Sequence, residues 1–264
     1  MNRIAKAFEK GKVFIGFVTG GDPGIEKTEE FILEMIRAGA GLVEIGIPFS
    51  DPIAEGSVIQ AANIRALSAG ATVEKIFALA ARVRQKTEIP LAFLTYLNPV
   101  FQYGYDAFFR RCRDSGVDGI IIPDLPFEEQ GEVRPSSAKY GVDLISLVAP
   151  TSEARIREIV RTATGFLYLV SSLGVTGVRG EITTDLASMI ASAREAGPAA
   201  GPSGVKLPIA VGFGIHTPAQ ATEIARIADG VIVGSAIVKI IEEHGEAAGP
   251  YIYEYVRRMC GAIK

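Results

Sequence analysis

Eight short apolar runs rich in β-branched residues recur along this chain, with stretches of helical period between them. The runs are VFIGFV from Val13, LVEIGI from Leu42, LAFLT from Leu91, GIII from Gly119, LISLV from Leu144, FLYLV from Phe166, PIAVG from Pro208 and GVIVG from Gly230. Apolar spacing predicts helices over 25–38, 58–69, 73–85, 105–115, 128–140, 153–162, 185–195, 218–228 and 235–243. Strands this apolar are covered on both faces, as in a parallel sheet, and eight of them in about 250 residues are what a closed (β/α)8 barrel needs. The alternative is an open doubly wound sheet, which usually carries a GxGxxG turn after its first strand. Here that turn reads TGGDPG and has no acidic partner at the expected distance.

The leading segment sets Ile4, Ala7 and Phe8 on one helical face, so an extra N-terminal helix is expected across the bottom of the barrel, and 251–263 is expected to form a last helix. The 29 glycines are spread along the 264 residues with no linker-like tract before 196, which predicts one barrel domain over 1–264. The Pro/Gly-rich stretch GPAAGPSGVKLP, from Gly197 to Pro208, reads as a surface loop at the bottom, the stability end of the barrel.

Charge and composition narrow the function. With 27 Lys and Arg against 30 Asp and Glu the net charge is −3, and no basic cluster offers to neutralise nucleic acid or an anionic membrane. The apolar runs fall far short of the roughly 20 residues a spanning helix needs, and MNRIAKAFEKGK lacks a signal-peptide core, so a cytoplasmic protein is expected. Cys112 and Cys260, like His216 and His244, form no short-spaced motif, which argues against a metal centre or a disulfide framework. Acid–base chemistry is left to carboxylates.

In a barrel of this kind the reacting groups sit at the C-terminal ends of strands and on the loops that follow. Alternation in LVEIGI puts Leu42, Glu44 and Gly46 on one side, so Glu44 shares its face with a glycine that leaves open space above it. A carboxylate inside an apolar strand loses hydration, which raises its pKa and suits it to carry a proton near neutrality. The competing reading is a buried ion pair, but no Lys or Arg lies in any of the eight runs. The next loop, PFSDPIAEG, adds Asp51, which before Pro52 organises a turn, and Glu55, which is either solvated or aimed into the same mouth. Three glycine-bearing turns follow the last three strands: SSLGVTGVRG, GFGI and GSAIV. Glycine allows close backbone approach to an anion, and Ser235 opens a helix whose free N–H groups favour phosphate, although each glycine taken alone turns a loop equally well. Thr176 and Arg179 lie in the longest of these turns, which has the composition of a closing lid.

Taken together, FVTGGDP from Phe17, VEIGIPFSDPIAEG from Val43, GVDGIIIPDLP from Gly116, YLVSSLGVTG from Tyr168, VGFGI from Val211 and GSAIVK from Gly234 strongly resemble the tryptophan synthase α subunit family, from about Asn2 to Met259. The resemblance implies a lyase of tryptophan biosynthesis that splits indole-3-glycerol phosphate into indole and glyceraldehyde 3-phosphate without a cofactor. The family's proton-shuttling Glu falls on Glu44, and its loop carboxylate facing the indole N–H falls on Glu55, where the most familiar pattern has Asp. By the same correspondence Gly177, Gly214, Gly234 and Ser235 hold the phosphate, and Phe17, Ile59, Leu94, Tyr96, Ile121, Tyr168 and Phe213 wall the indole pocket. Thr176 resembles the lid threonine that bonds the loop carboxylates on closure. The family works as an α2β2 complex, so the resemblance implies a β subunit as partner, met by the loops carrying Pro52, Asn98, Phe101 and Pro126. Pyridoxal phosphate belongs to that partner. The stretch 197–206 resembles an insertion in the family's usual short turn. A free-standing indole-glycerol-phosphate lyase and a weakly catalytic activator of β stay open as alternatives. A sugar-phosphate isomerase on the same barrel fits less well, because the metal ligands or Lys/Asp base it commonly uses are not found at the strand ends.

Overall fold

The computed structural model describes residues 2–150, 153–170, 183–196, 206–212 and 214–264, with the backbone alone for 183–185. Its strands are β1 (Val13–Thr19), β2 (Leu42–Gly46), β3 (Leu91–Leu94), β4 (Gly119–Ile121), β5 (Asp143–Val148), β6 (Leu167–Val170), β7 (Ile209–Gly212) and β8 (Gly230–Val233). Each runs parallel to the next, and β8 returns to β1 through Val13↔Gly230 to Gly16↔Val233, closing the barrel. Every β1 residue and every β2 residue is buried. That is the signature of strands covered on both faces, and it makes period-2 patterning invisible in the hydropathy of a parallel barrel.

Alternate side chains divide the interior into two layers. Ile15, Leu42, Ala92, Ile121, Ile145, Tyr168, Ala210 and Ile232 point inward and fill the barrel. Phe14, Val43, Ile45, Phe93, Leu144, Val211 and Val231 point outward against the helices. The helices are α1 (Arg3–Glu9), α2 (Ile25–Arg37), α3 (Ser57–Ser68), α4 (Val73–Arg84), α5 (Leu97–Tyr103), α6 (Tyr105–Asp114), α7 (Arg134–Tyr140), α8 (Glu153–Thr162), α9 (Thr183–Ala196), α10 (Pro218–Ile227), α11 (Ser235–His244) and α12 (Gly249–Ala262). Among the described residues no helix is long and apolar enough to cross a membrane.

The extra helix α1 plugs the N-terminal end. Its Ile4 is fully buried among the inward-facing residues, with Ala7 and Phe8 packed beside it, a burial worth about 1.5–3 kcal/mol for Ile4 alone. Asn2 caps the helix by accepting the Ala5 N–H at 2.9 Å, and its amide donates to Asp143 at 2.5 Å.

Two helical expectations are corrected. The helix expected over 128–140 is split into a 3-10 turn (Phe127–Glu132) and α7. Pro135 has no N–H to give and is accommodated in the first turn of α7, so the α-helix starts there and does not run through it. The short α5 was not expected at all. It begins where the Asp124 carboxylate accepts the Leu97 N–H at 2.8 Å, a cap supplied 27 residues further along the chain. Of the Pro/Gly-rich stretch 197–208 only Lys206 to Pro208 is described, beside Lys12, Arg194 and Asp229 at the bottom of the barrel; 197–205 lie outside the described residues.

Candidate active site

The second strand carries Glu44 inward near the C-terminal end of the barrel, between Phe17 of β1 and Ala92 of β3 in register. Its side chain is 1% exposed, and its Oε1 has no hydrogen-bond partner among the described residues. Burial raises its pKa from the ordinary 4.5 to about 8, and among the described residues no cation or donor offsets the lost hydration. The room that Gly46 leaves by having no side chain is not itself open, contrary to the expectation. A Cβ on Gly46 would stand 2.8 Å from Phe17 Cζ, so the missing side chain admits the Phe17 ring. Gly212 does the same for Tyr168, whose hydroxyl lies 2.5 Å from where that Cβ would stand. Burial, then the nearby Glu44 carboxylate, push the Tyr168 phenol well above its ordinary range.

The loop after β2 brings Glu55 to the same mouth. Asn63 of α3 donates its amide to Glu55 Oε2 at 2.6 Å, and Gln60 donates to the Glu55 carbonyl at 2.7 Å. Burial raises the Glu55 pKa to about 7, with the Asn63 bond pulling the other way by favouring the ionised form. Asp51, by contrast, is exposed and accepts the Ser50 hydroxyl at 2.5 Å, as a turn residue does.

Glu44 and Glu55 line one cavity of about 1120 Å³, and most of the expected pocket residues join them. Phe17, Ile59, Leu94, Ile121 and Tyr168 form apolar wall; Gly214, Gly234 and Ser235 stand at one end. At that end Ile237 and Val238 both bond back to the Gly234 carbonyl, which leaves the first N–H groups of α11 without helical acceptors. Tyr96 is placed elsewhere. It is 2% exposed, its ring lies 5.3 Å from that of Phe49, and its hydroxyl accepts the Ala54 N–H at 3.0 Å, so it props the Glu55 loop from behind. Thr176, Gly177, Arg179 and Phe213 lie outside the described residues.

Two kinds of residue were missed. Asn63 follows Ile59 by one helical turn, and a polar residue on the buried face of α3 was the available signal. His216 and His244, separated in sequence, line the same cavity. Among the described residues no group of three or more His, Cys, Asp or Glu is set to hold a metal, and both cysteines are buried and free. On the outer surface Phe101 is 60% exposed and Ile53 81%, with Asn98 and Pro126 exposed and Pro52 half-buried. Asn98 and Phe101 lie on α5, where a loop was expected, and Pro52, Ile53 and Pro126 lie outside the helices, in the segments expected to meet a partner.

The sequence model of the family described as tryptophan synthase alpha chain matches residues 4–259. The tryptophan synthase alpha chain of Lactiplantibacillus plantarum is 50% identical over 264 residues, all of this chain and 97% of that protein. That of Lacticaseibacillus casei is 44% identical, over all of this chain and 96% of the relative. The crystal structure of the α subunit from Legionella pneumophila superposes with a TM-score of 0.88 at 37% identity, covering all of this chain and 98% of that one. A chain from the tryptophan synthase α2β2 complex of Pyrococcus furiosus gives 0.86 at 35%, covering 95% of this chain and 99% of that one. With its barrel, its two mouth carboxylates and these full-length matches, the chain belongs to the tryptophan synthase α chain family.

Proposed function

We propose that this chain cleaves indole-3-glycerol phosphate into indole and glyceraldehyde 3-phosphate, with Glu44 carrying the proton and Glu55 accepting from the indole N–H. It acts as one barrel over 1–264, in the cytoplasm, as the α partner of a β subunit in an α2β2 complex, and the indole passes to that partner for tryptophan synthesis. The observation that carries the reading is the Glu44 carboxyl, buried, with no cation beside it among the described residues, and raised to about 8.

The chemistry follows from that state. At neutral pH Glu44 is held mostly in its acid form and gives its proton to the indole C3, while the ionised Glu55 stabilises the positive charge that develops at the ring nitrogen. The Glu44 carboxylate so formed then takes the proton of the side-chain hydroxyl. As the O–H electrons close the aldehyde, the bond between C3 and the side-chain carbon breaks and its electrons restore the indole ring. One proton has moved from oxygen to carbon and Glu44 is again an acid, so no cofactor or water enters the balance. The wall of Phe17, Ile59, Leu94, Ile121 and Tyr168 holds the indole. Gly214, Gly234 and Ser235, with Gly177, hold the phosphate; Thr176 meets the loop carboxylates on closure; Pro52, Asn98, Phe101 and Pro126 face the β subunit, which carries the pyridoxal phosphate.

The test is to incubate the purified chain with indole-3-glycerol phosphate and follow indole, alone and with increasing β subunit. Slow release alone and an increase of more than about tenfold on complex formation are expected, since ordering of the loops completes the site. No indole with β demonstrably bound overturns the reading. Full activity without β replaces it by the free-standing lyase.

A further inference from the structure

The turn after β7 is tied down by side-chain hydrogen bonds that the two carboxylates do not use. His216 Nδ1 lies 2.8 Å from the Gly214 carbonyl oxygen. A carbonyl only accepts, so Nδ1 carries the hydrogen in this contact. The His216 N–H donates to Gln220 Oε1 at 3.0 Å, and the same oxygen takes the Thr217 N–H at 3.1 Å as part of the capping box of α10. The His216 carbonyl in turn accepts the Tyr255 hydroxyl of α12 at 3.0 Å. His216 is thereby fixed at its amide, its carbonyl and its ring.

What the ring holds is a residue that needs holding. Gly214 has φ +77°, a conformation L side chains rarely adopt, and nothing lies within 4 Å of where its Cβ would stand. It lines the cavity together with Gly234 and Ser235 and follows β7, the strand paired with β8, which those two residues follow. A glycine in that position has more backbone freedom to lose than any other residue, so an unheld turn would sample several orientations of the peptide that a ligand meets.

We propose that His216 is the positioning residue of the phosphate end of the cavity: its Nδ1–H bond to the Gly214 carbonyl sets the Gly214–Ile215 peptide opposite the first turn of α11. The proposal takes phosphate as the ligand from the lyase reading and rests on it to that extent. The phosphate lies away from the bond that breaks, so an interaction that preorganises its site contributes equally to ground state and transition state. Its loss raises KM and leaves kcat.

The test uses His216→Ala, His216→Asn and His216→Gln in the full chain. Glycerol 3-phosphate binding is measured by calorimetry, and KM and kcat for indole-3-glycerol phosphate are measured with β present. Asn places an N–H close to the position of Nδ1; Gln places its amide where Nε2 stands. One neutral hydrogen bond sets the scale, so Ala and Gln are expected to weaken glycerol 3-phosphate and raise KM by roughly three- to tenfold with kcat within about twofold. Asn is expected to stay within about twofold of the parent. Equal affinity of Ala and parent overturns the proposal, as does an Asn variant as weak as Ala, which would assign the effect to the ring's charge or bulk. If Ala does not fold, the contrast between Asn and Gln decides. A parent that binds glycerol 3-phosphate yet releases no indole defeats the lyase reading alone, and the affinity series still judges His216. A parent that binds none defeats both.

Discussion

Both ends of the barrel bury a carboxylate, and they treat it in opposite ways. At the bottom Asp118, 8% exposed, accepts Arg3 Nη1 at 3.1 Å, Arg84 Nη2 at 2.8 Å and the Leu91 N–H at 2.9 Å. Arg84 gives three further N–H groups to the carbonyls of Gly116, Thr87 and Ile89. At the mouth Glu44 is more deeply buried and has an oxygen with no partner among the described residues. A carboxylate satisfied on all sides offsets its desolvation and joins α1, α4 and β4 into one closed end. A carboxylate left unsatisfied is strained toward its neutral form, and that strain suits it to carry a proton near pH 7. The paired carboxylate closes one end of the fold and the unpaired one lines the cavity at the other.

The contrast is most exposed at Glu44. The Glu44→Gln variant is expected to release indole at no more than about a thousandth of the parent rate, because the amide keeps the packing and moves no proton. It should also gain stability. The folded pKa of about 8 lies above the ordinary 4.5, so the native state binds more protons than the unfolded chain between those values, and stability falls as pH rises through that window. Gln escapes this loss, so its unfolding midpoint should exceed the parent's at pH 8 and approach it at pH 5. A midpoint difference independent of pH would show that Glu44 titrates normally in the folded chain.

Glu55 tests whether charge or reach matters on the loop. Glu55→Gln should lose at least about a hundredfold in turnover, roughly 2.7 kcal/mol on the barrier, and Glu55→Asp should stay within about tenfold. Similar rates for the two, measured with β present, would return Glu55 to the status of a solvated loop residue.

At the other end the expected signs reverse. Asp118→Asn leaves two arginines facing a neutral side chain and should cost about 3 kcal/mol of stability in denaturant titrations, while kcat of the folded fraction stays unchanged. A fall in kcat without a fall in stability would mean that the two ends are not separable.

The smallest expected effect is in pH dependence. Turnover per free enzyme and substrate should rise as Glu55 ionises near 7 and fall as Glu44 loses its proton near 8, giving a narrow bell. Glu55→Asp should move the acid limb alone; a shift of the alkaline limb instead would exchange the two assignments.

The residues that line the cavity were in good part legible in the sequence. Glu44 could be read because strand alternation is a property of the backbone, and an acid among β-branched residues has few alternatives. Glu55, Gly234 and Ser235 could be read because chemistry in a parallel barrel concentrates where strands end. Tyr96 was misplaced because a residue just past a strand can turn toward the cavity or behind the loop, and the deciding contact, the Ala54 N–H, lies 42 residues away. Asn63 and His216 were passed over for the same reason, since each acquires its meaning from a partner that only the assembled turn supplies.

The sequence by itself determined the eight strands, their order, the barrel and the identity of the mouth carboxylate, because repeated apolar runs and strand alternation are local properties that every parallel barrel must satisfy. Only the tertiary structure decided that the glycine above Glu44 admits the Phe17 ring, that Asn63 holds Glu55, and that His216 grips Gly214. Each of these depends on distances across the closed barrel, and a few tenths of an ångström decide whether a contact is a hydrogen bond, a packed ring or open space.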